Sequence, residues 1–210
     1  MKQDYTHIAV ILDRTGSMEN IRDDMIGGFN AFLKQQRQGP GTATLTLVQF
    51  DSQDPYEVIH RFKPIGEVPE LTRVAYVPRA GTPLLDALGR GINDLECGLR
   101  ELSEEMRPAK VIVAVVTDGQ ENSSQEFTNE QVSRMIKTKT DNDGWEFVFL
   151  SSDLNAIENA RAVGVRVDHV LLFEKSGVGC ANAWSSLDQS AADYRAERKN
   201  EAGFGPAGQK

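Results

Sequence analysis

Six consecutive apolar residues, Val111-Ile112-Val113-Ala114-Val115-Val116, constrain this chain more than any other segment. A strand with one solvated face alternates apolar and polar residues. An unbroken apolar run instead implies cover on both faces, the condition of a parallel sheet between two helical layers. Ile8-Ala9-Val10-Ile11-Leu12 and most of 145–151 read the same way. Strands are expected at 7–12, 43–50, 56–62, 110–117, 145–151 and 168–173. Between them the apolar residues take a helical period. Ile21, Met25, Phe29, Phe32 and Leu33 mark a helix over 18–37, ended by Gly39-Pro40-Gly41. Leu84, Leu88, Ile92, Leu95, Leu99 and Leu102 mark a second, with Arg107-Pro108 at its exit. Thr128 and Gln131 form a capping box that starts a third over 129–138. A short helix at 154–163 stops at Gly164, and a last one over about 180–197 carries Trp184, Leu187, Ala191 and Tyr194.

Strands alternating with helices predict an open, doubly wound α/β fold with a mostly parallel six-stranded sheet. The segment 56–62 is the exception. It follows 43–50 after only Asp51-Ser52-Gln53-Asp54-Pro55, too short for a crossover helix, so it is expected as an antiparallel strand at the sheet edge. The span 63–80, with Pro64, Pro69 and Pro78, is expected as a long irregular loop, a length common in functional loops. One domain over 1–199 is expected, with the helix at 180–197 on or beside it and a disordered tail over 200–210.

Composition narrows the function classes. The chain has 210 residues, 40% hydrophobic and 26% charged, enough for one proper core. A net charge of −8 and a pI near 5.0 argue against nucleic-acid binding, which needs basic patches. Arg195, Arg198 and Lys199 form a local basic spot that acidic neighbours dilute. No run approaches the roughly 18 apolar residues that span a bilayer, and the N-terminus does not read as a signal peptide. Cys97 and Cys180 show no CxxC spacing and read as idle thiols in a reducing compartment, so a cytoplasmic location is expected.

The chemistry gathers where the apolar runs end. Asp13-Arg14-Thr15-Gly16-Ser17 puts one carboxylate and two hydroxyls at alternate positions of a sharp turn, with a glycine to let the backbone fold tightly. Such a turn reads either as an ordinary helix N-cap on solvated backbone or as oxygen ligands for a small hard cation. Asp118, in Val115-Val116-Thr117-Asp118-Gly119, ends the fourth strand. Thr82, in Ala80-Gly81-Thr82-Pro83, stands at the start of the second helix, where it reads as a cap or as a further ligand. Ligand sites of open parallel sheets lie at the carboxyl ends of the strands, near the point where strand order reverses. Asp13, Thr15, Ser17, Thr82 and Asp118 are therefore five oxygen side chains from three loops expected at one end of the sheet. Asp51, Ser152 and Asp153 also end strands and read as turn residues, while Glu121 and Asn122 are rim candidates. His7, His60 and His169 have no ligand partner at useful spacing and read as structural.

On these residues the chain resembles the von Willebrand factor A domain with its metal-ion-dependent adhesion site. The family pattern is Asp-x-Ser-x-Ser after the first strand, a Thr in a later loop and an Asp after the fourth strand. It matches Asp13-Arg14-Thr15-Gly16-Ser17, Thr82 and Asp118, departing only in Thr15 for the middle serine. The resemblance covers roughly 6–175, and the wording Leu12-Asp13-Arg14-Thr15-Gly16-Ser17-Met18 is similar to intracellular, stand-alone bacterial or phage members. It implies Mg²⁺, or Mn²⁺ or Ca²⁺, held by Ser17 and Thr82 directly, with Asp13 and Asp118 nearer or through water. It further implies a non-enzymatic module that binds a carboxylate of a partner protein, such as an AAA+ ATPase or a stress or defence complex. Few anionic ligands leave the cation electrophilic, so an acidic protein can still bind an acidic partner through it.

Enzyme readings fit the residues less well. There is no Gly-x-x-x-x-Gly-Lys segment, and Gly27-Gly28 falls inside a helix. A haloacid-dehalogenase phosphatase needs an Asp where Thr15 stands. A response-regulator receiver needs an acidic pair and a lysine that Asp13-Arg14 and Ser151-Ser152-Asp153 do not supply. The three histidines do not assemble a Ser-His-Asp arrangement. The remaining alternative is a metal-dependent phosphohydrolase with Asp13 as nucleophile at the same sheet end.

Overall fold

The computed structural model describes residues 1–153 and 156–204. The elements run β1 (Lys2–Asp13), α1 (Arg22–Gln36), β2 (Thr42–Phe50), β3 (Glu57–Pro64), α2 (Leu84–Glu101), β4 (Pro108–Thr117), α3 (Asn129–Asp143), β5 (Glu146–Ser151), α4 (Ala156–Ala162), β6 (Val170–Leu172) and α5 (Gly177–Arg195). The sheet has six strands in the order β3-β2-β1-β4-β5-β6. Every pairing is parallel except β2 with β3, which is antiparallel at the edge, as the short Asp51–Pro55 connection requires. The chain winds outward from β1 to β3, then returns to place β4 against the other side of β1. Strand order therefore reverses between β1 and β4, and the carboxyl ends of these two strands carry Asp13 and Thr117.

Side chains alternate across the central strands, and each face has its own core. Ile8, Val10 and Leu12 of β1, with Ile112, Ala114 and Val116 of β4, pack under α1 and α5. Ala9 and Ile11, with Val111, Val113 and Val115, pack under α2, α3 and α4. The unbroken apolar runs are thus two interleaved stripes, one for each layer. His7 belongs to this interior: its ring stacks on Phe62 at 4.2 Å and its Nδ1 hydrogen-bonds the Thr44 hydroxyl at 2.8 Å. Burial lowers its pKa to about 3.

The helical expectations differ from the structure mainly at element ends. The first helix opens with a 3₁₀ segment, Gly16–Ile21, before α1 begins. The capping box at Thr128 and Gln131 forms, but α3 runs to Asp143 rather than 138. Its last residues are polar and carry no apolar period; the stop is Gly144, whose φ of 64° suits the left-handed position after a helix. Of the helix expected at 154–163, Leu154 and Asn155 lie outside the described residues. The tail expected to be disordered from Asn200 is seated at its start. Ala202 is buried, Phe204 N donates to Asp168 O at 2.8 Å, and Ser190 Oγ donates to Gly203 O at 3.1 Å. Residues 205–210 lie outside the described residues. Among the described residues no helix is long and apolar enough to cross a membrane, and both cysteines are free.

The two adjacent glycines of α1 have opposite surroundings. A Cβ at Gly28 would lie 2.0 Å from Trp184 Cδ1, so the bare backbone is what lets the α5 indole sit against α1. A Cβ at Gly27 would meet nothing within 4 Å. Gly28→Ala is expected to cost about 2 kcal/mol or more through displacement of Trp184. Gly27→Ala is expected to stabilise by up to about 1 kcal/mol through helix propensity. Urea unfolding of the two variants checks both, and equal effects would contradict this packing.

Candidate metal centre

β1 ends at Asp13, which is fully buried rather than on the solvated turn expected from sequence. Its Oδ1 accepts the Thr15 backbone N–H at 2.7 Å, and its Oδ2 accepts the Thr117 hydroxyl at 2.6 Å. The carboxylate therefore ties the turn after β1 to the end of β4. No cationic side chain pairs with it among the described residues. Burial raises its pKa to about 6; the Thr117 and Thr15 hydrogen bonds work against that rise, and the neighbouring Asp118 charge adds to it.

The turn then delivers its hydroxyls. Thr15 Oγ1 and Ser17 Oγ lie 3.1 Å apart, and Ser17 Oγ donates to Asp118 Oδ1 at 2.5 Å across the strand-order reversal. Ser17 is exposed, while the Thr15, Thr82 and Asp118 residues around it are buried. Gly119 completes the hollow: a Cβ there would lie 3.3 Å from Thr82 Oγ1 and 3.7 Å from Ser17 Oγ. Any other residue after Asp118 would crowd the space these two hydroxyls share. All five residues expected at the site are brought to one place, joined either by hydrogen bonds or across Gly119.

Thr82 is not the cap of α2. The helix starts at Leu84 after Pro83, and no side chain of that N-cap residue bonds the first turn. Those N–H groups are taken from outside instead: Glu121 Oε2 accepts Leu85 N at 2.9 Å, and Ser124 Oγ accepts Asp86 N at 3.1 Å. Asn122 Oδ1 accepts Thr82 N at 2.8 Å, while Asn122 N donates to Thr82 O at 3.0 Å. The rim candidates Glu121 and Asn122 are thus braces that fix the Thr82 backbone and leave its hydroxyl over Gly119. Buried Asp86 holds the far side by accepting from the N–H groups of Gln125, Glu126 and Phe127.

The long loop expected over 63–80 starts later, since Lys63 and Pro64 still pair in β3; after a 3₁₀ turn at Ile65–Glu67 the rest is irregular yet firmly seated. Fully buried Tyr76 donates its hydroxyl to Asp13 O at 2.6 Å. Asn30 brackets Leu71, accepting its N–H at 2.7 Å and donating to its carbonyl at 3.0 Å. Arg79 N donates to Arg14 O at 2.9 Å, and Gly16 N donates to Ala80 O at 3.1 Å. Ala80 takes a φ of 58°, a left-handed turn costly for a residue with a Cβ, directly before Gly81-Thr82.

Beside the hollow lies a buried ionic network that sequence reasoning missed. Asp51 does form the expected turn, its Oδ1 accepting Gln53 N at 2.7 Å and Asp54 N at 3.1 Å. Its Oδ2 also accepts Arg14 Nε at 2.6 Å and Arg79 Nε at 2.9 Å, and Arg14 reaches Glu57 as well. Burial alone would raise the Asp51 pKa, but the Arg79 and Arg14 bonds hold it below the usual carboxylate value. The variable position of the first turn, Arg14, therefore points away from the hydroxyl cluster and braces β1 against β2. Ser152 and Asp153 stay peripheral, Ser152 Oγ reaching Asp118 O only at 3.4 Å and Asp153 N donating to Ser151 Oγ at 3.1 Å.

Two hydroxyls and a carboxylate oxygen around a small hollow suit a hard cation that keeps part of its water shell. Asp118 presents a buried carboxylate to the same space, and its Oδ2 lies beside a cationic side chain, Lys175, rather than a hydrogen-bond donor of the sheet, so this end of the sheet draws positive charge. A second group, Asp168, His169 and Glu201, also stands close together. There Arg166 already bridges both carboxylates, at 2.7 Å to Asp168 Oδ2 and 2.7 Å to Glu201 Oε2. His169 Nδ1 lies 3.1 Å from Phe147 O, so that histidine is held by the backbone.

Neither a family model nor a curated relative matches the sequence. Solved structures do. Proximal thread matrix protein 1 from the mussel byssus, in a form with a zinc-occupied MIDAS motif, superposes with a TM-score of 0.59 at 15% identity over 91% of this chain and 47% of its own. A von Willebrand factor type A protein from Catenulispora acidiphila gives 0.58 at 14% identity, covering 91% of this chain and 43% of its own. This chain has the von Willebrand factor A fold. The manganese-loaded TRAP protein of Plasmodium vivax gives 0.56 at 12% identity over 87% and 73%. The chain spans less than half the length of the first two proteins.

The raised pKa of Asp13 has a definite sign for stability. Below about pH 4 the carboxyl is protonated in both folded and unfolded protein; between there and about 6 only the folded protein holds the proton. Its contribution is therefore full at low pH and lost as pH rises through 6. His7, with a lowered pKa, acts oppositely across this whole window, so the test is a difference. In chelator, Asp13→Asn is expected to gain stability relative to the unsubstituted protein between pH 4 and 7. Parallel melting curves across that range would contradict the assignment.

Proposed function

We propose that this chain is a metal-ion-dependent protein-binding module. In this reading Ser17 Oγ, Thr82 Oγ1 and Asp118 hold a divalent cation, Mg²⁺ in the first instance, with Mn²⁺ or Ca²⁺ as substitutes. Asp13 positions the turn, and Thr15 supports Ser17 through the hydroxyl contact at 3.1 Å. The single observation that carries this is the convergence of Ser17 and Thr82 over Gly119, next to a buried carboxylate. When bound, the cation would supply a Lewis-acid site for a carboxylate of the partner. The chain's own residues keep the charge of the ligand set low, because the nearest donors are hydroxyls and one carboxylate. The partner class implied by the family resemblance, an AAA+ ATPase or a stress or defence complex in the cytoplasm, belongs to the same proposal.

A phosphohydrolase with Asp13 as nucleophile is not favoured. Both Asp13 oxygens are engaged by Thr15 and Thr117, and the residue has no exposed surface. A nucleophile needs a free oxygen facing substrate.

Mg²⁺ is expected to raise the melting temperature of the protein, since a ligand that binds only the folded state stabilises it by mass action. Thr82→Ala should remove most of that rise, and Thr15→Ala should remove less. Equal Mg²⁺ shifts in the unsubstituted protein and Thr82→Ala would contradict the role of Thr82. A pull-down with and without chelator tests the partner: capture that is indifferent to chelator would contradict metal-dependent binding.

A further inference from the structure

One cation already stands at the site, supplied by the chain itself. Lys175, in the segment between β6 and α5, brings its Nζ to 2.5 Å from Asp118 Oδ2. The Asp118 side chain is completely buried, whereas that of Lys175 is 39% exposed, so the ammonium covers the carboxylate from the solvent side. The other oxygen of this carboxylate, Oδ1, is taken by Ser17.

This arrangement differs from the neighbouring network at Asp51. There Asp51 Oδ2 receives two guanidinium groups, one from Arg14, whose side chain is only 6% exposed and also bonded to Gln49. Removing either charge would strand the other partners, so that network is fixed. Lys175 is a point charge on a flexible stem with water at hand, and it can leave Asp118 for solvent at small cost. An ammonium and a divalent cation cannot both neutralise the same carboxylate oxygen at contact distance.

We infer that Lys175 is a tethered competitor for the divalent cation. It neutralises Asp118 in the metal-free protein and must swing out when metal binds, so it sets the cation concentration at which the site fills. The claim rests on the metal-binding reading above and assigns that site its regulation.

Isothermal titration of chelator-stripped protein with MgCl₂, and separately with MnCl₂, tests it, with melting curves in parallel. Lys175→Met is expected to bind either ion about twofold to fivefold more tightly than the unsubstituted protein, the range of a partly exposed ion pair. Lys175→Arg, which keeps the charge, should stay near the unsubstituted affinity. In chelator Lys175→Met should melt lower, because Asp118 loses its counter-charge, and its rise on adding Mg²⁺ should be larger. Unchanged or weaker metal binding in Lys175→Met, with the unsubstituted protein binding metal normally, would overturn the competitor role alone. Absence of binding in all three folded proteins would overturn the metal-binding reading itself.

Discussion

The Asp13 carboxylate organises the end of this sheet. It is buried where strand order reverses, has no cationic partner among the described residues, and is held by one backbone N–H and one threonine hydroxyl. Burying a carboxylate is costly unless it is hydrogen-bonded, and here both oxygens accept a hydrogen bond while burial raises the pKa to about 6. The bond to Thr15 N shapes the turn that carries Thr15 and Ser17, and the bond to Thr117 locks that turn to β4. Tyr76 closes the same point from above by bonding the Asp13 carbonyl, which seats the loop leading to Thr82. Three loops thus share one anchor, and the hydroxyls they carry converge because the anchor is rigid.

Charge is distributed around this anchor in two different ways. Asp51 is neutralised by two arginines in a fixed network that ties β1, β2 and the loop before α2 together. Asp118 is covered by one partly exposed lysine. The first arrangement is suited to holding the architecture, and the second to exchange with a cation from solution. With a net charge of −8 over the whole chain, a cation at this end of the sheet would supply the local attraction that the proposed carboxylate partner needs.

Much of this was legible in the sequence because the controlling signals are local. Unbroken apolar runs at 8–12 and 111–116 require cover on both faces, which leaves little choice but a parallel sheet between helices. The five-residue connection from 51 to 55 forces the antiparallel edge. The capping box at Thr128 is satisfied within four residues, and the hydroxyls of Thr15 and Ser17 lie beside Asp13. What sequence does not reveal depends on contacts between distant segments. Nothing near Lys175 signals that it will reach Asp118, and nothing near Arg14 signals Asp51 and Glu57. Asp13 itself reads as a solvated turn residue, because its burial is produced by Tyr76 and Thr117 arriving from elsewhere. Thr82 reads in sequence as a helix cap as well as a ligand, since the groups that accept the first N–H bonds of α2, Glu121 and Ser124, come from the next loop. The start of the tail is held by Asp168 and Ser190, which an Ala- and Gly-rich composition does not suggest. Gly119 carried the one overlooked local signal: a glycine directly after a strand-end aspartate, where a side chain would fill the space between two hydroxyls.

The most direct measurement is a crystal structure of the protein grown in MnCl₂, with anomalous differences collected to place the metal. The account predicts one strong peak bounded by Ser17 Oγ, Thr82 Oγ1 and the Asp118 carboxylate, with Lys175 Nζ displaced from Asp118 and Asp13 still bonded to Thr15 and Thr117. A peak at Asp168, His169 and Glu201 instead, or fully ordered Ser17, Thr82 and Asp118 with no metal between them, would contradict it.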